Sequence, residues 1–167
     1  MPTNHAIVLD NRPEAEVSTS NFKMITAETP ALQDGQVLVK HHYLSLDPYM
    51  RGRMNAGKNY AQPQPLGEPM IGGTVGEVAE SKNAKFKVGQ TVQCMGGWQA
   101  YSVINADTPG ALKHVNAEKI SMSHYLGAVG MPGVTAWYGL NKIIQAKPGA
   151  TVTVSAASGA VGSAYGA

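Results

Sequence analysis

The stretch Gln36–Met54 reads QVLVKHHYLSLDPYMRGRM and combines a strand pattern with a turn and two arginines. In an extended chain alternate residues share a face, which separates Val37, Val39, His41 and Tyr43 from Leu38, Lys40, His42 and Leu44. This period of two predicts a β-strand. Asp47-Pro48 favours a turn, so Tyr49, Arg51 and Arg53 are expected just beyond the strand, where binding groups often lie.

Short apolar or alternating runs of the same kind continue from Ala6 to about Ile104, separated by Gly, Pro, Asn and Asp. They read AIVLD, GGTVGEVAE, QTVQCM and WQAYSVI, whereas PQPLGEPM and SKNAKFKVGQ have the composition of loops. Several strands at such spacing predict a β-barrel or a β-sandwich.

The pattern changes near Ser121. Apolar residues after Pro132 recur at helical spacing, and Pro148-Gly149 is expected to end that helix. The following ATVTVSA predicts a buried strand, and SGAVGSAYGA predicts the start of a second helix. A β region followed by a helix and a strand indicates a change of domain. We therefore predict one domain over residues 1–125 and the start of another over residues 126–167.

Composition excludes several functional classes. Thirteen Lys and Arg against eleven Asp and Glu give a formal net charge of +2, and the basic residues are scattered, which does not favour nucleic acid as a partner. The single cysteine, Cys94, excludes an internal disulfide framework and a multi-cysteine zinc cage. No signal-peptide pattern and no run of eighteen apolar residues is present, so we expect a cytoplasmic protein that does not span a membrane.

A nucleotide-binding pattern lies near the end of the sequence. Ala157-x-Gly159-x-x-Gly162 is a G-x-G-x-x-G fingerprint with alanine at the first position. In such a fingerprint, Gly159 lets the backbone approach a pyrophosphate and Gly162 lets the helix pack closely on the strand. An ordinary tight turn between a strand and a helix would give the same pattern, and both interpretations stay open on the motif alone.

Other catalytic chemistries have little support. The five histidines, His5, His41, His42, His114 and His124, show no metal-binding spacing, and we interpret them as structural. Cys94 is interpreted as a small buried hydrophobe rather than a nucleophile, and Trp98 as a core residue rather than a pocket wall. The G-x-S-x-G motif of serine hydrolases is absent. Scattered carboxylates leave a glycosidase open, although nothing points to one.

Four motifs together carry a family resemblance: YLSLDPYMRGRM, GEPMIGGTVGEV, GAVGMPGVTAWYGL and AASGAVGS. In this order they resemble the medium-chain dehydrogenase/reductase superfamily, and within it the zinc-independent branch of prostaglandin reductases, leukotriene B4 12-hydroxydehydrogenases and bacterial curcumin reductases. DPYMR is close to a signature of that branch. Gly67-Glu68 follows Leu66 with no histidine between, where zinc-binding relatives have Gly-His-Glu. The resemblance covers essentially all 167 residues.

The resemblance implies a fold and an activity. The fold is mainly β with some α, a GroES-like partly open β-barrel followed by the beginning of a Rossmann domain, as in the first half of a longer enzyme. The implied reaction is reduction of the carbon–carbon double bond of an α,β-unsaturated ketone or aldehyde, by hydride transfer from NADPH to the β-carbon. A homodimer is expected for the full-length protein, no metal is expected, and the isolated half is expected to be nearly inactive.

The resemblance also implies residue roles. The cofactor-binding residues would be Met131 and Thr135 near the nicotinamide and Gly159, Ala160, Val161 and Gly162 at the pyrophosphate. Tyr49, Cys94 and Met95 would line the substrate pocket, with Tyr49 shaping it rather than contacting the carbonyl oxygen. Arg51 and Arg53 receive no role. Two alternatives stay open: a quinone oxidoreductase of the same superfamily, and a non-catalytic β-barrel module that binds a partner if 167 residues are the whole product.

Overall fold

The computed structural model describes residues 1–57 and 61–166. The chain divides into two compact units, Met1–Val115 and Asn116–Ala167. The first unit carries the strands, and the second is built mainly from helices and turns. The predicted domain boundary between residues 125 and 126 stays a prediction.

The first unit contains short strands with these bounds: β1 Thr3–Leu9, β2 Phe22–Glu28, β3 Gln36–Leu44, β4 Thr74–Ser81, β5 Thr91–Cys94, β6 Tyr101–Asn105 and β7 Leu112–His114. Strands β1 and β2 form an antiparallel pair, and a second sheet has the order β6-β3-β4-β5-β7 with antiparallel neighbours throughout. Strand β1 also bonds to the loops: the Ile7 N–H donates to the Trp98 carbonyl, and the Met70 N–H donates to the Ile7 carbonyl. The predicted mainly β architecture is confirmed.

Strand β3 is confirmed, and its pairing with β4 is irregular at two places. The register of β3 against β4 shifts between Leu38 and Val39 and again between His41 and Tyr43. A bulge places an extra residue in one strand and bends it, which changes the direction of the side chains that follow. Val37 and Val39 pack in the same buried apolar cluster, as the predicted face requires, and Leu38 is buried outside that cluster, so this part of β3 is covered on both faces.

Two apolar clusters form the core of the first unit. The first joins residues of β3, β4, β5 and β7 with Phe86: Val37, Val39, Val78, Phe86, Val92, Cys94 and Leu112. The second contains Leu9, Met50, Met54 and Met70, with Phe22, Tyr49 and Trp98 packed against it. Full burial of a side chain of this kind contributes about 1.5–3 kcal/mol, so the second cluster strongly fixes the helix that carries Met50 and Met54.

The helices are short: α1 Tyr49–Arg53, α2 Met131–Tyr138 and α3 Ala160–Tyr165, with 3₁₀ turns at Thr19–Asn21 and Met122–Leu126. The helix predicted after Pro132 is confirmed as α2, with the proline in its first turn. A π-helical segment, Gly139–Ile144, continues it and ends at Gln145, whose φ of 53° is left-handed. This end comes earlier than the expected Pro148-Gly149. Among the described residues, none of these helices has the length and apolar character needed to cross a membrane.

The strand predicted for ATVTVSA is not formed. Residues 151–154 belong to no strand in the described part of the chain, and Thr151, Val152 and Thr153 are exposed. A β-strand exists only through hydrogen bonds to a neighbouring strand. The segment has the composition of a strand, and no strand among the described residues pairs with it.

Candidate functional site

Helix α1 begins at the turn that follows β3. The Ser45 hydroxyl donates to the Asp47 carboxylate over 3.0 Å, and the Met50 N–H donates to the Asp47 carbonyl over 3.1 Å. Pro48 supplies a helical φ of −57° at the start of the helix. Met50 and Met54 are four residues apart and bury the same face in the second core cluster. The short helix is therefore held by packing rather than by its length.

Tyr49 and Arg53 are also four residues apart and interact with each other. The guanidinium carbon of Arg53 lies over the Tyr49 ring, 5.5 Å from its centroid. The Tyr49 ring in turn packs against the second core cluster. The Arg53 Nε is buried and has no hydrogen-bond partner among the residues that the structure describes. The Arg53 side chain is thus held by the Tyr49 ring, and its Nε–H has no acceptor among the described residues.

Arg53 lines a cavity of about 370 Å³ in the first unit. The cavity walls come from the loop before β4, the turn after β5 and the end of α1: Arg53, Gln62, Pro63, Gln64, Pro65, Glu68, Pro69, Ile71, Met95, Gly96, Gly97 and Gln99. Met95, which was expected to line the substrate pocket, lies on this wall and is 56% exposed. Arg53 therefore contacts one expected pocket residue, Tyr49, and lines the cavity together with the other, Met95.

Arg12 and Gln64 hold the walls of this cavity in place. The Arg12 guanidinium donates to the Met54 carbonyl over 2.7 Å and to the Gln64 carbonyl over 3.0 Å. The buried Gln64 side chain accepts from the Ile71 N–H over 3.0 Å and donates to the Pro69 carbonyl over 3.1 Å. Neither residue was identified from the sequence, because a lone Arg and a Gln between two prolines give no signal of a long-range contact.

Cys94 lies behind the cavity wall rather than on it. Its side chain belongs to the first core cluster, and its sulfur lies 3.4 Å from the Thr74 hydroxyl oxygen. Burial raises the pKa of the Cys94 thiol, and hydrogen bonds with Thr74, Ser102 and Gly96 oppose that effect. The interpretation of Cys94 as a small buried hydrophobe is confirmed. Its expected role in substrate binding stays a prediction.

His41 is a partly buried histidine that contacts Ser102, one of the hydrogen-bond partners of Cys94. Its Nε2 lies 2.8 Å from the Ser102 hydroxyl oxygen, and its Nδ1 is buried with no partner in the described ranges. Burial, followed by the charge of His42, lowers the pKa of His41 to about 4. A Cβ at Gly96 would overlap the His41 ring and the Thr74 hydroxyl, so the ring requires glycine at that position. His41 therefore packs as an uncharged side chain.

The second unit carries the expected cofactor-binding residues. Met131 begins α2, and the Thr135 hydroxyl donates to the Met131 carbonyl over 2.7 Å, which places both on one turn. Gly159 directly precedes α3, and Ala160, Val161 and Gly162 begin that helix. A Cβ at Gly162 would overlap the Ala156 carbonyl, whereas a Cβ at Gly159 would lie 3.3 Å from the same oxygen.

A mainly apolar cavity of about 530 Å³ lies beside α3 in the second unit. Its walls are Leu140, Val152, Val154, Ala157, Gly162, Ser163, Tyr165 and Gly166. Gly162 lines this cavity, but Met131 and Thr135 do not. In the described part of the chain, no group of three or more His, Cys, Asp or Glu side chains lies close enough together to hold a metal ion.

Comparisons with known proteins give consistent matches. Residues 5–112 match a protein family described as the N-terminal domain of oxidoreductase. The chain is 40% identical over 163 residues to the NADPH-dependent curcumin reductase of Escherichia coli (strain K12), covering 98% of this chain and 46% of that protein. It is 43% identical over 152 residues to prostaglandin reductase 1 of Bos taurus, covering 89% of this chain and 43% of that protein.

A solved structure gives the same result. The crystal structure of CurA in complex with NADPH from Vibrio vulnificus matches with a TM-score of 0.87 and 43% identity. The match covers 97% of this chain and 47% of that chain. The chain therefore spans about half the length of the proteins it matches.

Proposed function

Because this chain belongs to the zinc-independent medium-chain dehydrogenases/reductases, in the branch of curcumin and prostaglandin reductases, we propose that its protein is an NADPH-dependent enone reductase. The predicted fold class of this family, mainly β with some α, is confirmed. The proposed substrates are α,β-unsaturated ketones and aldehydes. The observation that carries the proposal is the identity to a curcumin reductase over almost the whole chain.

The fingerprint residues fit the proposed cofactor. Gly162 lies so close to the Ala156 carbonyl that no larger residue fits, which is the packing role of the last fingerprint glycine. We propose that Gly159, Ala160, Val161 and Gly162 hold the pyrophosphate and that Met131 and Thr135 lie near the nicotinamide. When bound, NADPH would supply a hydride to the β-carbon of the substrate, and the resulting enolate would take a proton from solvent at its α-carbon.

The remaining task of the chain is to align the enone and to stabilise the negative charge that develops on its carbonyl oxygen. We propose that Tyr49 and Met95 shape the pocket. Helix α1 supports this role, because Met50 and Met54 fix its inner face in the core. Cys94 is proposed to support the wall from behind Met95, since its side chain is buried in the first core cluster. A homodimer and a cytoplasmic location stay predictions.

The test is an assay of NADPH oxidation at 340 nm by the protein purified from its native cells, whose intact mass is measured first. The acceptors are benzylideneacetone, its saturated analogue 4-phenylbutan-2-one and 1,4-benzoquinone. We expect turnover with benzylideneacetone, in the range of about 1–1000 per second usual for enzymes, and none with the saturated ketone.

The alternatives predict other results in the same assay. Oxidation with benzoquinone alone would favour a quinone oxidoreductase. Absence of any NADPH oxidation, together with self-association that increases with concentration, would favour a non-catalytic binding module. Either result would overturn the proposed reduction of enones.

A further inference from the structure

We propose that Arg53 binds a carboxylate on the substrate, at a position remote from the reacting double bond. The inference rests on the proposed function and adds a chemical class to it, namely enones that carry a carboxylate. It makes Arg53 a residue that determines specificity, in addition to Tyr49 and Met95.

Three arginines lie near helix α1, and two of them are already used by the fold. Arg12 donates to the Met54 and Gln64 carbonyls. Arg51 donates to the Asn55 side chain and to the Ala15 carbonyl, each over 2.7 Å. The Arg53 side chain contacts the Tyr49 ring, and among the described residues its buried Nε has no acceptor. Arg53 is therefore the arginine that the fold leaves available here.

The unused donor needs an anionic or strongly polar partner. A buried N–H of a cation that is left unpaired is costly, and a ligand that accepts its hydrogen bond removes that cost. In the described part of the chain, Arg53 forms no ion pair, although Glu68 lines the same cavity and is exposed to solvent. A guanidinium presents its donors in a planar fork that matches a carboxylate.

The cavity around Arg53 suits an apolar molecule with one charged end. Its volume of about 370 Å³ lies in the range of small-molecule sites. Pro63, Pro65, Pro69 and Ile71 give it apolar and rigid walls. The Arg12 and Gln64 hydrogen bonds hold this loop against α1 before any ligand arrives. Such preorganisation lowers the cost of binding.

A first experiment observes Arg53 directly. The protein is titrated with 4-(3-oxobut-1-enyl)benzoate, or with its methyl ester, while the Nε–H signals of arginine are followed by ¹H–¹⁵N NMR. The signal of Arg53 is assigned by its absence in Arg53→Lys, and that of Arg51 by its absence in Arg51→Lys. We expect the carboxylate to shift the Arg53 signal, and the ester and the Arg51 signal to show no comparable change. No shift, or equal shifts with acid and ester, would overturn the proposal.

A second experiment measures specificity. The ratio of kcat/KM for the carboxylate to kcat/KM for its ester is compared between wild type, Arg53→Gln and the matched control Arg51→Gln. Loss of a charge-assisted hydrogen bond should lower this ratio about tenfold in Arg53→Gln, mainly through KM, and leave it unchanged in the control. Arg53→Lys, which keeps the charge without the fork, should give an intermediate ratio.

The two experiments separate this inference from the proposed function. If wild type reduces both compounds and Arg53→Gln leaves the ratio unchanged, the role of Arg53 is wrong and the enone reductase stands. If wild type reduces neither compound, the proposed function is wrong, and the NMR titration still decides whether Arg53 binds a carboxylate.

Discussion

The guanidinium of Arg53 lies over the ring of Tyr49, with its Cζ 5.5 Å from the ring centroid. The two residues are one helical turn apart on α1, and the neighbouring pair Met50 and Met54 fixes the same helix in the core. A helix of five residues can therefore present a ring and a cation in a defined arrangement. Changes at Tyr49 should affect both the shape of the pocket and the orientation of Arg53.

Replacing Tyr49 by Phe should have little effect on enone reduction, because the ring face that contacts Arg53 is kept. We expect kcat/KM for several enones to change by less than about threefold, since a phenyl face still attracts the cation. Tyr49→Ala should raise KM more, because it removes the ring altogether. A loss in kcat of about 100-fold or more in Tyr49→Phe, the size of a general acid contribution, would contradict the pocket-shaping role.

The pH dependence of stability should depend on His41. Its pKa is about 4 in the folded protein, below the ordinary value of 6.5. The unfolded chain therefore takes up a proton below about pH 6.5 while the folded protein does not. The contribution of His41 to the free energy of unfolding is therefore complete above pH 6.5. It decreases as the pH falls to 4, by about 3 kcal/mol at most.

Urea unfolding between pH 7 and pH 4 tests this expectation. Relative to wild type, His41→Gln should show a smaller decrease in the free energy of unfolding over that range. His5→Gln is the control for the loss of an imidazole, because His5 is an exposed histidine of the same unit. Equal decreases in wild type and His41→Gln would show that His41 does not stay neutral in the fold.

The Cys94 thiol should be unreactive in the native protein. It is buried, and burial raises its pKa, so the thiolate that attacks electrophiles is scarce. We expect wild type and Cys94→Ser to release the same amount of thionitrobenzoate from Ellman's reagent within minutes at pH 8 in buffer, and wild type to release one equivalent more than Cys94→Ser in denaturing urea. This protection also matters for the proposed activity, since enones are electrophiles that alkylate thiolates. Rapid stoichiometric reaction of the native protein would contradict the described burial.

Gly162 should be required for the fingerprint turn, because a Cβ there overlaps the Ala156 carbonyl. Gly162→Ala is expected to weaken NADPH binding at least about tenfold, since the turn must move to admit the methyl group. Gly166→Ala is the control, because the φ of Gly166 is −95° and a Cβ added there would lie 4.0 Å from its nearest neighbour, the Ser163 carbonyl oxygen. Equal affinities of wild type and Gly162→Ala, measured by fluorescence titration, would contradict the role of the close contact.

The strands that the sequence predicts are those with strong apolar patterns. AIVLD, QVLVKHHYLSL, GGTVGEVAE, QTVQCM and WQAYSVI all contribute strands to the first unit. Two strands were missed for physical reasons. Strand β2 is largely exposed and pairs with β1 at the edge of a small sheet, so it has no apolar period, and β7 has only three residues. Register shifts in β3 depend on its pairing with β4, which local sequence does not specify.

The candidate site was only partly predictable for a related reason. The family resemblance indicates Tyr49, Cys94 and Met95 as pocket residues. Cys94 and Met95 are adjacent at the end of a strand, and the local sequence does not show which of them faces the cavity. In the structure Met95 lines the cavity and Cys94 faces the core. The roles of Arg12, Gln64 and Arg53 depend on contacts between segments that are distant in sequence. Likewise, ATVTVSA has a strand composition but no neighbouring strand in the described residues.

The most direct test of the account is the fate of the hydride. The protein from its native cells is incubated with benzylideneacetone and NADPH deuterated at C4 of the nicotinamide, with each of the two deuterated faces used in turn, and the product is analysed by NMR. Hydride transfer to the β-carbon predicts 4-phenylbutan-2-one with one deuterium on the former β-carbon from one of the two deuterated forms. Deuterium on the carbonyl carbon of an allylic alcohol, or no product at all, would contradict it.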